Sequence, residues 1–213
     1  VWRWAREKAK AFLTGRATKV KEPAPNFGAF AARYVDDHVR ASRLQPSTAA
    51  HMHVSLNHHL IPMFGTLRVD QLTDAHVLAV KKLDLAAGTI NKILQLMGQV
   101  LRDAQAKALV ASVPKIKGLK ASHGRHAFYT PEDYGRLVHA AASNPQALAL
   151  VLLAGDAGMR IGEIVALEWS RVDLGANKVH VECSDWNGHI GPPKSGKPRS
   201  VPMTPRLRAA LQA

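Results

Sequence analysis

Apolar residues recur along this chain at two periods, and the change between them comes near residue 127. Over residues 2–13, Trp2, Ala5, Ala9, Phe12 and Leu13 share one helical face, with Arg6, Lys8 and Lys10 elsewhere, and Gly15 stops the pattern. Lys19 to Pro25, with two prolines and alternating charge, reads as a linker. From Asn26 to about Val113 the spacing is helical throughout. Phe27, Phe30, Tyr34 and Val35 form one stripe. Pro46-Ser47-Thr48 opens a second helix carrying Val54, Leu56, Leu60 and Ile61, and Pro62 is expected to end it. Leu72-Thr73-Asp74 caps a third helix with Val77, Leu78 and Val80. A fourth, opening at Thr89 or a neighbour, repeats Ile90, Ile93, Leu94, Met97, Val100 and Leu101. Four short helices joined by connectors of a few residues predict a compact bundle.

Lys115 to Arg125 carries four cations and two glycines without apolar period, as an interdomain linker does. After it, Thr130-Pro131-Glu132-Asp133 is a helix start: threonine caps, proline takes the first turn, and the acids favour the positive helix end. Leu148–Leu153 fits a buried helix. Lys178-Val179-His180-Val181 then alternates as a strand after the turn at Gly175-Ala176-Asn177. A further turn at Asp185–Gly188 and the segment Lys194–Met203 complete a small sheet. The expected fold is mainly α, a helical bundle followed by an α+β unit. The expected parts are 1–22, a helix and linker; 23–114, the bundle; 115–127, the basic linker; and 128–213, the α+β unit.

Charge changes this picture more than composition does. Residues 1–127 hold 20 Lys/Arg against 8 Asp/Glu, whereas residues 128–213 hold 9 against 8, so nearly all of the +13 lies in the front half. Such a surface suits a polyanion, nucleic acid or an anionic membrane. The single cysteine, Cys183, excludes an intrachain disulfide and fits a reducing cytosol. The longest apolar run, Ala147 to Ala154, is far short of the ~20 residues that span a bilayer, and Trp2-Arg3-Trp4-Ala5-Arg6, basic and aromatic, does not resemble a secretory signal.

The densest chemistry lies in Gly155-Asp156-Ala157-Gly158-Met159-Arg160-Ile161-Gly162-Glu163. An arginine just after Gly158, at the start of a helix, is placed to hold a phosphate: its planar fork donates two parallel hydrogen bonds, and the helix N-terminus adds a favourable field. As charge builds on phosphorus, such a donor stabilises the transition state more than the ground state. Glu163 lies one turn on, within reach of Arg160. On spacing alone, a surface Arg/Glu pair on an amphipathic helix is the better account. The glycines, the following Leu167-Glu168-Trp169 and the later Pro193-Lys194-Ser195-Gly196-Lys197-Pro198-Arg199 shift that balance. The glycines do not favour a P-loop, since no Gly-Lys-Ser/Thr follows them. His51, His53, His58 and His59 lack a Cys or acid at ligand spacing, and no Ser-His-Asp set with a nucleophile elbow is present.

Arg160 in its glycine-flanked box resembles the first active-site box of the tyrosine recombinase (phage integrase) family, and Pro193–Pro202 resembles that family's β-hairpin with its active-site lysine. Pro46-Ser47-Thr48, Phe64-Gly65-Thr66-Leu67 and Thr89-Ile90-Asn91-Lys92 resemble its core-binding domain, and the start resembles the last helix of an arm-type DNA-binding domain. The resemblance covers roughly 26–213. It implies a SAM-like helical core-binding domain and the N-terminal half of a catalytic domain, acting as a clamp on duplex DNA. It also implies a site-specific recombinase, phage- or mobile-element-encoded and cytoplasmic, a homotetramer on DNA, with no membrane, metal or nucleotide cofactor. Arg160 would be the first catalytic arginine, Glu163 its support, and Lys194 the proton donor to the leaving 5′ oxygen, with Lys197 its competitor. Arg199 would shape the hairpin or bind phosphate. Thr48, Lys92 and Arg102, with Lys115 and Lys117 in the linker, are the expected DNA contacts.

The family pattern continues with a His-x-x-Arg box and a tyrosine nucleophile, whereas Tyr34, Tyr129 and Tyr134 all precede Arg160. The sequence is therefore expected to be a fragment that lacks the nucleophile and is inactive by itself. The competing readings are a DNA-binding protein derived from a recombinase scaffold, and an unrelated helical regulator that reads the major groove. The basic front half predicts an affinity for duplex DNA that falls steeply between about 50 and 200 mM salt. Binding isotherms flat over that range would remove nucleic acid as the partner.

Overall fold

The computed structural model describes residues 2–3, 6–7, 23–121 and 127–213. The chain divides into two units, Val1–Ser122 and His123–Ala213, each with its own apolar cluster. Trp2, Arg3, Arg6 and Glu7 are helical. Ala5, Ala9, Phe12 and Leu13, most of the expected linker at 19–25, and residues 122–126 of the basic linker lie outside the described residues.

Among the described residues the N-terminal unit is built from helices, with one isolated bridge between Asn26 and Arg68. Helix α1 (Phe27–Ala41) buries Phe27, Phe30, Ala31 and Val35 on one face, with Tyr34 packed at its edge. No side chain caps its start. Instead the Phe27 N–H donates to Leu67 O at 2.7 Å and the Gly28 N–H to Gly65 O at 3.1 Å, so a loop satisfies the orphan donors. Glycine at 28 permits that approach, because a Cβ there would lie 3.1 Å from Gly65 Cα and O.

The second helix departs from the expectation that Pro62 ends it. It runs as α2 (Pro46–Val54), a π-turn (Ser55–Leu60) and α3 (Ile61–Phe64) without a break. The π-turn shifts the backbone register, with the Ile61 N–H bonding Leu56 O. Pro62, which has no N–H to donate, follows directly on this change of register, at the second position of α3. Leu56 and Leu60 are buried, whereas Val54 is exposed. Thr73 caps α4 (Asp74–Lys81) and donates its own N–H to His76 Nδ1 at 3.0 Å; Val77 and Val80 face inward and Leu78 faces outward. Helix α5 (Ala87–Ala106) starts at an uncapped Ala86 and supplies the centre of the core, all six expected apolar positions being buried.

In the C-terminal unit, α6 (Pro131–Ala141) begins at Thr130, whose Oγ1 accepts the Asp133 N–H at 3.1 Å. Helix α7 (Pro145–Gly155) buries Leu152 and Leu153. Helix α8 (Ile161–Val165) is followed by β1 (Val172–Asp173), β2 (Lys178–Val181), β3 (Ser184–Trp186), β4 (His189–Gly191), β5 (Arg199–Pro202) and α9 (Pro205–Gln212). The strands form two sheets rather than one: β1-β2-β5, with Val179 opposite Val201, and a separate β3-β4 ribbon. The ribbon closes at Asn187 and Gly188, both at positive φ, with Asp185 Oδ1 accepting the Gly188 N–H at 2.8 Å. Val179 and Val181 meet Leu152, Met159, Met203 and Leu207 in this unit's cluster.

Gly155 sits against the Tyr134 phenol, and a methyl group there would overlap its ring and hydroxyl. Gly155→Ala is expected to destabilise this unit by about 1–3 kcal/mol, read as a lower thermal unfolding midpoint. An unchanged midpoint would mean that α6 and α7 do not pack this way.

Candidate functional site

The turn from α7 to α8 is built to present one arginine. Its floor is apolar, with Ala157 and Met159 buried and their N–H groups donating to Leu152 O (3.2 Å) and Leu153 O (3.1 Å). Gly158, at φ +61°, reverses the chain between them. Arg160 follows as the N-cap of α8. At N3, Glu163 Oε2 accepts the Arg160 N–H at 2.9 Å, and Oε1 accepts from the Arg160 side chain at 3.0 Å. Gly162 keeps the same helix open to the ribbon, since a Cβ there would lie 2.6 Å from Asp185 O and Ser184 Oγ.

Glu163 is buried, its side chain wholly so, and it is doubly paired. Arg199, from β5, donates to both of its oxygens, at 2.9 and 2.6 Å, in the bidentate geometry guanidinium groups favour. The Arg199 hydrogen bonds, opposed by burial and assisted by the Arg160 backbone and side chain, hold the Glu163 carboxyl down at about 2. One carboxylate between two guanidinium groups leaves the set a net positive charge. Arg160 carries the accessible part of it, with 57% of its side chain exposed against 33% for Arg199. The arrangement can therefore fix an exposed guanidinium beside a phosphate-sized anion. Helix α8 has only five residues, so the field expected from its N-terminus is small and the guanidinium itself dominates.

The other expected residues are placed less uniformly. Lys194 is exposed on the turn between β4 and β5, next to buried Pro193, and makes no hydrogen bond or ion pair among the described residues. Because β4 pairs with β3 and β5 with β2, that turn links two sheets and is not the tip of a hairpin. Lys197 is exposed on the same turn. Arg199 has both terminal nitrogens on Glu163, so it is an inward-facing partner of that carboxylate rather than a free surface cation. In the N-terminal unit, Thr48 and Lys92 are brought together. They line a groove of about 370 Å³ with His51, Ser55, Gln95 and Gln99, over Met52 and Leu96. Arg102 lies farther along α5, its guanidinium over Gly98. Lys115 and Lys117 are exposed. Among the described residues no three His, Cys, Asp or Glu side chains gather as a metal site.

A second buried carboxylate went unread in the sequence. Asp156, with 3% of its side chain exposed, accepts from Tyr134 Oη at 2.8 Å, Thr204 Oγ1 at 2.5 Å, and Arg206 Nε and NH2 at 2.7 and 2.5 Å. Arg206, partly opposed by burial and aided by Thr204 and Tyr134, lowers its pKa to about 2. Burial, then the hydrogen bond to Asp156, pushes the Tyr134 phenol up to about 12. An acid inside the apolar run Leu148–Ala157 was the available signal, since such a charge requires partners.

The sequence model of the phage integrase family matches residues 127–213, and that of the phage integrase central domain matches residues 27–117. No curated protein matches. Among solved structures, the Tn1549 transposon integrase in complex with a circular intermediate DNA is similar, with a TM-score of 0.71 at 14% identity, covering 88% of this chain and 64% of that one. A lambda integrase tetramer bound to a Holliday junction gives a TM-score of 0.67 at 17% identity, covering 94% and 59%. The chain thus spans less than two thirds of the length of these structures.

The depressed carboxyl of Glu163 has a signed consequence. Its folded pKa of about 2 lies below the usual 4.5, so its contribution to stability is complete above about pH 4.5 and is lost as pH falls toward 2. Glu163→Gln removes the charge at every pH and is expected to cost about 1–3 kcal/mol, the two guanidinium groups left behind being partly exposed to water. It should also flatten the acid limb of a plot of unfolding midpoint against pH. An acid limb of unaltered slope would mean that Glu163 is not the titrating partner.

Proposed function

Because the chain belongs to the phage integrase family, we propose that it supplies the DNA-holding part and the first catalytic arginine of a site-specific recombinase. The observation that carries this reading is the buried Glu163 with two guanidinium groups on it, one of which, Arg160, remains largely exposed. In this proposal Arg160 donates to the non-bridging oxygens of the scissile phosphate, and Glu163 keeps the fork from reorienting as charge develops. The bond from phosphorus to the 5′ oxygen breaks as the nucleophile attacks, and Lys194 delivers the proton that the leaving oxygen takes up. Arg199 acts through Glu163 and touches no DNA. Thr48, Lys92, Arg102, Lys115 and Lys117 hold the duplex, with 23–114 as the core-binding part, 115–127 as the linker and 128–213 as the catalytic part. Assembly of four copies on DNA follows by analogy with the lambda integrase tetramer on its Holliday junction.

The nucleophile is proposed to be a tyrosine other than the three in this chain. Tyr134, in the same unit as Arg160, gives its hydroxyl to Asp156, and its raised pKa disfavours the phenolate that attack requires. This favours a second reading for the 213 residues taken alone: a DNA-binding protein on a recombinase scaffold that does not cut.

A nicked duplex that traps covalent protein–DNA adducts separates the two. The 213-residue chain is expected to bind it without forming an adduct. The product of the full reading frame is expected to form one, and Arg160→Ala should lower the yield by ~10²-fold or more while binding persists. An adduct from the 213-residue chain itself would overturn the nucleophile assignment. A yield unaffected by Arg160→Ala would remove that residue from the site, and no adduct from the full product would leave the second reading.

A further inference from the structure

The basic segment that follows α5 is not a loose tether where it leaves the helix. Residues 111–119 run back along α5, opposite to its direction, and are fastened at both ends and in the middle. At the near end Gln105 Nε2 donates to Ala111 O at 3.3 Å. At the far end the Asn91 carboxamide closes a two-bond ring on Leu119: its Nδ2 donates to Leu119 O at 2.9 Å, and its Oδ1 accepts the Leu119 N–H at 2.7 Å. That pair of bonds imitates a strand partner, one side-chain amide serving where a neighbouring peptide would. Between them the Lys115 N–H donates to Asp74 Oδ1, at the start of α4, at 3.0 Å.

Two glycines make the fit possible. A Cβ at Gly118 would lie 2.9 Å from Asn91 Oδ1, and a Cβ at Gly98 would lie 3.2 Å from Ile116 Cδ1. Glycine at 118 lets the segment's backbone close on the carboxamide, and glycine at 98 opens a notch in α5 for Ile116. Val113, Ile116 and Leu119 pack on the N-terminal core, while Lys115, Lys117 and Lys120 are exposed. The result is a ribbon with apolar anchors inward and three ammonium groups outward. It lies along about 21 Å of helix. Asn91 immediately precedes Lys92, the lysine that lines the groove, so the ribbon runs beside the face of α5 that carries the groove.

We propose that Asn91 is a positioning residue, which pins the segment 113–120 on α5 as a preformed row of cations for a nucleic-acid phosphate backbone. The inference rests on the DNA-binding reading above and goes beyond it, because it assigns the geometry of the row to one uncharged side chain. A free linker would have to give up its conformational freedom at the moment of binding; a pinned one has already done so on folding.

The test uses the intact 213-residue protein in two measurements. Amide hydrogen exchange at Leu119 is expected to be slow in the wild type and fast in Asn91→Ala. Leu119 exchanging fast in the wild type overturns the clamp without reference to DNA. Duplex binding is then followed against salt. Replacing Lys115, Lys117 and Lys120 by alanine is expected to reduce the log–log slope by about 2–3, at roughly 0.9 per phosphate contact. Asn91→Ala, which removes no charge, is expected to keep most of the slope but to weaken duplex binding at fixed salt by roughly 3–10-fold, the ordering cost that pinning avoids, and adding it to the triple variant should weaken binding no further. Gly118→Ala approaches the same joint from the linker side and leaves α5 untouched, which guards against a folding defect in Asn91→Ala. Wild-type affinity in both single variants, with Leu119 freed, overturns the positioning role. Failure of the wild type to bind duplex DNA sinks the DNA-binding reading itself and removes the purpose of the row, while the exchange result would still report on the clamp.

Discussion

The C-terminal unit turns on one buried carboxylate. A glutamate with no exposed side-chain surface would be strongly destabilising alone, because burial of an unpaired charge costs more than a small core returns. Glu163 is tolerated because four donors converge on it, from its own helix start and from β5. The same bonds that remove the penalty hold the sheet, the short helix and the exposed Arg160 in one frame. The group on which the unit's stability rests is therefore also the one that would serve the proposed chemistry.

Asp156 repeats the solution at the other end of the same turn. It draws Tyr134 from α6, and Thr204 and Arg206 from the start of α9, onto the last turn of α7. Between Asp156 and Glu163 lie only apolar, glycine and arginine residues, so the segment carrying Arg160 is held at both ends by carboxylates kept charged by their partners. In the role proposed for Arg160 such rigidity is an advantage, since a misoriented guanidinium stabilises a phosphate poorly.

The N-terminal unit relies on burial instead. Its core joins faces of α1, the π-containing second helix, α4 and α5, and its polar bonds serve mostly to close helix ends and fasten the segment after α5. The helical stripes needed for this were legible residue by residue: Phe27, Phe30 and Val35 on α1, and Ile90 through Leu101 on α5. Positions off those stripes, such as Val54 and Leu78, are exposed, which a list of apolar residues does not reveal and a helical angle does.

Local periodicity and turn chemistry determined the helices, the caps at Thr73 and Thr130, the strand at Lys178–Val181 and the change of fold class, because each depends on residues within a few positions of one another. The order of the glycine-flanked arginine box and the lysine segment was likewise readable, and it pointed to the family. Tertiary structure alone decided which charges meet. Arg199 is 36 residues from Glu163, Arg206 is 50 from Asp156, and Asn91 is 28 from Leu119. No spacing rule selects such partners; they are chosen when folding strips water from one group and leaves another within reach. The continuation of the second helix through Pro62 belongs with them, since a π-turn is a compromise of packing rather than a preference of sequence.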